Sequence, residues 1–236
     1  MNGPYRIYAA LISSLGPQGW WPVTPAGKFR PEYKRRGFYL KTERERFEVA
    51  AGAILTQNTT WKNAEKAIIN LNLAGGATAE LILAAPPEKL RELIRPSGYY
   101  TQKEKKLRIF AEHVVRRHGG RVGEWLGGPF DAVRAELLAL WGIGPETADS
   151  ILLYAGERVT FVVDAYTLRL ARRMGWLRNA DYDLAKRFFE NSLPRELKIF
   201  NEFHALTVAL GKDFCRPKPH CADCPLTQMC AKLAEE

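Results

Sequence analysis

Apolar residues recur along this chain at helical spacing, and the alternation of a half-buried strand is almost absent. Residues 5–15 read as a short helix stopped by Gly16-Pro17. Prolines at 22, 25 and 31 make residues 18–37 irregular. Thr42-Glu43-Arg44-Glu45 is a capping box that opens a helix to about Leu55, with Phe47, Ala50, Ala51, Ile54 and Leu55 as its buried stripe. After the polar break at 56–60, residues 61–73 read as helix and end at Gly75-Gly76. Residues 78–85 form a short helix, and Pro87 starts another with Leu90, Leu93 and Ile94 inward. A second capping box, Thr101-Gln102-Lys103-Glu104, opens a helix to about His118. The pattern resumes over 129–140, 145–155, from Asp164 to about Gly175, over 182–192 and over 195–211. The predicted fold class is all-α, in short helices without a solenoid-period repeat.

Residues 140–164, LWGIGPETADSILLYAGERVTFVVD, are the most informative stretch. An amphipathic run ends in a Gly-Ile-Gly turn, and a new helix starts at Pro145, where a missing N–H costs nothing. Gly142 and Gly144 tolerate unusual backbone angles and close approach. The new helix directs backbone N–H groups and a positive dipole end at whatever lies in front of the loop, which favours an anion. Asp164 then stands where another helix begins, so it is an N-cap candidate as well as a candidate catalytic carboxylate.

Composition narrows the partner. Lys and Arg outnumber Asp and Glu by 35 to 26, a net charge of +9, which suits a polyanion such as nucleic acid. Lys34-Arg35-Arg36 is a charge run that fits a solvated loop or a phosphate contact. No stretch approaches a membrane span and the first residues lack a secretory pattern, so the expected location is the cytoplasm, associated with the nucleoid. All four cysteines lie near the end of the chain, as Cys215, Cys221, Cys224 and Cys230. Clustered cysteines in a cytosolic protein point to a metal centre, and the spacing leaves tetrahedral Zn and [4Fe–4S] both open. The four histidines carry no motif; His204 is the one expected near the C-terminal helices.

The hairpin, VVDAYTLR after it, the early LTQNTTW break and the four-cysteine loop occur in one order. Together they resemble the helix-hairpin-helix DNA glycosylases of the endonuclease III group, over roughly residues 40–232. LTQNTTWKNAEKA, GWWP and SGYYTQKEKKL look like the 3-methyladenine branch. The resemblance implies a two-lobed fold: a six-helix barrel over 47–157, and a second lobe of 1–46 plus 158–236 carrying the cysteine loop at 212–232. It implies a cleft between the lobes into which a nucleotide is flipped. It also implies that the four cysteines hold a [4Fe–4S] cluster, although the first gap is one residue shorter than the family's usual pattern. The implied partner is double-stranded DNA containing a damaged base, bound by a monomer.

The resemblance also assigns roles. Asp164 would stabilise the developing oxocarbenium sugar or orient water. Gly142, Ile143 and Gly144 would bind a phosphate through backbone N–H groups, with Thr147 beside them. Gln57 would fill the gap left by the flipped base. Trp20, Trp21 and Trp61 would line the base pocket, where a cationic alkylated purine gains roughly 0.5–2 kcal/mol from cation–π stacking. Tyr99 and Tyr100 could border it. Bifunctional members carry a lysine two residues after the second hairpin glycine; here that position is Glu146, which cannot form an imine. Lys212 is then a possible lysine in the site. The implied activity is monofunctional hydrolysis of the N-glycosidic bond of alkylated purines. The alternatives are an endonuclease III-like glycosylase/lyase for oxidised pyrimidines and a degenerate DNA-binding homologue.

Overall fold

The computed structural model describes residues 3–33 and 39–232; the Lys34-Arg35-Arg36 run lies outside them. Among these residues the fold is helical, with one isolated antiparallel bridge, Val23 to Glu32, in place of any sheet. The chain divides into two compact units, Trp21–Arg158 and Met1–Trp20 with Val159–Glu236.

The first unit is built around α2 (Glu43–Leu55), where every residue from Phe47 to Leu55 is buried. The capping box forms as predicted: the Glu45 amide donates to Thr42 Oγ1 and the Thr42 amide to the Glu45 carboxylate, both at 3.2 Å. On α2 pack α3 (Trp61–Leu73), α6 (Tyr100–His118), α7 (Val122–Gly127) and α9 (Pro145–Ser150); α4 (Ala79–Ala84) and α5 (Pro87–Ile94) pack on α6, and α8 (Phe130–Ala139) on α7 and α9. A π-helical turn, Ile151–Ala155, continues α9 and packs on α2.

Glu48 is buried within α2. Its carboxylate accepts from the Thr24 amide (2.7 Å) and Asn72 Nδ2 (3.2 Å). Burial pushes its pKa up, and these donors only partly oppose that. The contacts tie Thr24 to α2 and α3. Residues 21–46 accordingly group with the barrel helices, whereas the sequence put 1–46 with the C-terminal part.

Two further expectations change. The second capping box does not form: α6 starts at Tyr100, after Tyr99 in the left-handed region (φ 45°), with no side-chain cap. The cause is Lys103, whose side chain is drawn into the core, where Nζ donates to Leu55 O (2.8 Å) and Ser97 O (2.7 Å). Glu104 meanwhile faces Arg108 and Arg91. Burial, reinforced by Lys106, lowers the Lys103 pKa to about 8. Helix α7 was not foreseen; six residues, two of them glycine, are too few to show a period, yet Trp125 and Leu126 are core.

The second unit packs α1 (Pro4–Leu15) and α10 (Ala165–Arg173) on α12 (Leu197–Asp213), with α11 (Tyr182–Ser192) against α1. Its core is aromatic: Phe161 stacks on Phe189 at 4.6 Å and meets the edges of Phe200 and Phe203. Glu190 accepts from the Phe161 amide (2.9 Å), fixing the extended segment that delivers Asp164. Glu202, fully buried on α12, accepts from the Gln18 and Gly19 amides (2.8 and 3.2 Å) and so sets the backbone leading to Trp20.

Candidate functional site

In the first unit the hairpin runs from α8 through Leu140–Gly144 into α9. Gly142 has φ 84°, a backbone conformation that favours glycine, and a Cβ there would stand 2.4 Å from Lys106 Cε and push that side chain aside. Ile143 buries its side chain, and its amide closes the turn on Leu140 O at 3.1 Å. That N–H is thus used within the loop rather than turned outward. In front of Gly144 there is open space. Thr147 is buried and its hydroxyl accepts from Gln57 Nε2 (2.8 Å). Glu146 is exposed in the first turn of α9, where negative charge suits the dipole.

Gln57 does not stand apart from the hairpin. Its Nε2 also donates to Gly142 O (3.0 Å), and Lys106 Nζ donates to its Oε1 (2.6 Å). Lys106 is half-buried, and burial lowers its pKa. Across the two hairpin helices Arg134 makes a bidentate pair with the fully buried Asp149, both contacts 3.0 Å. Sequence reading missed Lys106, Arg134 and Asp149. An acid just before the apolar run Ile151–Ala155 was the available signal for Asp149; its partner, fifteen positions back, follows no local rule.

Trp21 and Trp61 meet edge to face at 5.3 Å, and Tyr154 from the π turn meets Trp21 at the same distance. Gly52 makes room: a Cβ there would lie 2.9 Å from Trp21 Nε1. Trp61 is only 7% exposed, so Trp21 presents the more open ring. Trp20 belongs to the other unit and is half-buried. Tyr99 and Tyr100 are exposed at the start of α6. Tyr154 was not singled out in the sequence, because its helical spacing fits plain core.

In the second unit Asp164 caps α10, its Oδ1 accepting from the Thr167 amide at 2.7 Å. Its other oxygen lies 3.5 Å from His204 Nε2 on α12, at the outer limit of hydrogen bonding. Burial alone pushes the carboxyl up. The His204 contact and the Thr167 donor outweigh it, so the pKa lies below the ordinary 3.8 and the group is ionised at neutral pH. His204 is therefore the partner of Asp164. Lys212 is exposed, eight residues or about 12 Å further along the same helix.

Cys215, Cys221, Cys224 and Cys230 are free thiols, and all four line one cavity of about 470 Å³. Arg173 from α10 donates to Cys215 Sγ (3.2 Å), Arg216 O (2.7 Å) and Pro217 O (3.1 Å), so a buried cation stands against the thiols. Burial and the neighbouring cysteines hold the thiols of Cys224 and Cys230 up. A cationic metal centre reverses that penalty by binding the thiolate form.

The glycine hairpin braced between helices, the capping aspartate and the four-cysteine pocket are the features on which the sequence resembles the helix-hairpin-helix DNA glycosylases. Residues 51–195 match the HhH-GPD superfamily of base excision DNA repair proteins, and the chain belongs to that superfamily. It is 43% identical to a candidate DNA repair glycosylase of Methanocaldococcus jannaschii, over 96% of this chain and 94% of that one. It is 30% identical to the endonuclease III of Thermotoga maritima, over 80% of this chain and 84% of that one. Among solved structures, the H. pylori 3-methyladenine DNA glycosylase bound to 1,N6-ethenoadenine is similar at TM-score 0.70 and 26% identity, covering 89% of this chain and 97% of that one. An endonuclease III–DNA complex shares the fold at TM-score 0.73 and 20% identity, covering 98% and 97%. The protein is a DNA glycosylase of the endonuclease III family.

Proposed function

We propose that this glycosylase releases alkylated purines such as 3-methyladenine from double-stranded DNA and leaves the abasic strand uncut. The observation that carries the second half is Glu146 at the position where bifunctional relatives carry lysine. A carboxylate cannot attack the sugar as an amine does. Asp164, ionised and fixed by Thr167 and His204, stabilises positive charge developing on the sugar and orients the attacking water. A charged purine is already a good leaving group, so one carboxylate suffices. The Trp21 ring, backed by Trp61 and Tyr154, offers a π face to that base.

The loop at Gly142–Gly144 receives the DNA backbone. Gln57 serves here as a brace: filling a vacated base position would break its bonds to Gly142 and Thr147. The same bond turns the Thr147 hydroxyl inward, so its part is to hold the loop rather than to touch phosphate. Cys215, Cys221, Cys224 and Cys230, which line one cavity, would hold the [4Fe–4S] cluster that the resemblance implies; the visible absorption of the purified protein separates it from colourless zinc. Such a cluster cross-links the loop, and base release needs nothing else from it.

One observation favours a second reading, a lyase active on oxidised pyrimidines. Lys106, an amine with a lowered pKa, lies against the hairpin and could form an imine. The test is a panel of duplexes carrying alkylated, oxidised or deaminated bases, scored for free base and for strand breaks before alkali. Release of 3-methyladenine without breaks supports the proposal. Breaks at thymine glycol, with borohydride trapping abolished by Lys106→Met, support the lyase. DNA binding with no base released from any duplex supports a degenerate binding homologue.

A further inference from the structure

His113 and His118 on α6 and Glu136 on α8 converge on one point. His113 Nε2 lies 3.2 Å from Glu136 Oε2, His118 Nε2 lies 3.1 Å from the same oxygen, and the two nitrogens are 3.3 Å apart. That oxygen already accepts from Trp125 Nε1 at 2.7 Å. If both imidazoles donate as well, three N–H groups crowd an oxygen with two lone pairs. If instead one imidazole donates to the other, the acceptor's bare nitrogen faces a carboxylate oxygen. Neither arrangement is well satisfied.

A cation at the centre satisfies all three, because each group then turns a lone pair inward. A triangle with edges of 3.1, 3.2 and 3.3 Å puts a tetrahedral ion about 2.0 Å from each corner, the bond length zinc takes to imidazole and carboxylate. The groups are half-exposed rather than sealed: the side chains of His113, His118 and Glu136 are 17%, 21% and 45% exposed, which leaves room for water as fourth ligand. His118 stacks on Trp125 (4.7 Å, 15°), so its ring is already oriented. We propose that His113, His118 and Glu136 form a binding site for a divalent cation of the zinc type, separate from the cysteine loop. The ion cross-links the end of α6 to α8, the helix that leads into the hairpin.

The test is calorimetric titration of the full-length protein, its cysteine site loaded and loosely bound metal stripped, with zinc chloride. Wild type binds one zinc ion at micromolar or tighter affinity, and Glu136→Gln and His113→Gln each bind about tenfold more weakly or worse. Glu136→Gln keeps an acceptor for Trp125, so a folded variant is expected and circular dichroism checks it. In ¹¹³Cd NMR the bound ion resonates in the nitrogen/oxygen range, far from a four-thiolate ion. Absence of stoichiometric binding by wild type, equal affinity in both variants, or a thiolate resonance alone would overturn the site.

Discussion

The hairpin and the cysteine loop are both short irregular stretches, and they are held differently. At residues 140–147 the restraint comes from distant side chains: Gln57, Lys106 and the Arg134–Asp149 pair grip the turn from several helices. At residues 214–232 most restraint is short-range backbone turning around a cavity, with Arg169 and Arg173 of α10 supplying long-range contacts. The first is preorganised by the fold. The second, on the proposed [4Fe–4S] reading, would be organised by what its thiols hold. A DNA contact gains from the first kind, because little ordering remains to be done on binding.

The contrast breaks most visibly at the cysteines. If the loop holds the proposed cluster, Cys224→Ser should abolish the visible absorption band of the purified protein and speed hydrogen exchange across residues 214–232, since metal binding and local folding would then be one process. An unchanged exchange pattern would mean the loop holds itself. Arg134→Ala comes next. It leaves Asp149 buried without its partner, and urea unfolding should show a loss of about 3–5 kcal/mol. Gln57→Ala is smaller, about 1–2 kcal/mol, because it removes hydrogen bonds to Gly142 and Thr147 that solvent can partly replace. A Gln57→Ala variant as stable as wild type, with exchange at Gly142–Gly144 unaltered, would remove the brace from the account.

What was legible in the sequence follows the same division. The all-helical class, the first capping box, the Asp164 cap and the cysteine cluster are local patterns, and the chain displays them directly. The second capping box was equally local but misleading: burying Lys103 against Leu55 and Ser97 outweighs the cap that Thr101 could supply. Long-range pairs such as Arg134–Asp149 and Asp164–His204 leave no periodic trace, since their spacing is set by helix crossings. Tyr154 was hidden in another way, as its place beside Trp21 depends on the π turn and on Gly52 having no side chain.

Asp164 carries the central claim, and Asp164→Asn tests it most directly. Asparagine caps a helix as well as aspartate, so the variant should fold and bind DNA as wild type does. Single-turnover release of 3-methyladenine from alkylated duplex should then fall by a factor on the order of 10²–10³ or more, while wild type releases the base and leaves the strand intact until alkali is added. Base release by Asp164→Asn at the wild-type rate would contradict the account.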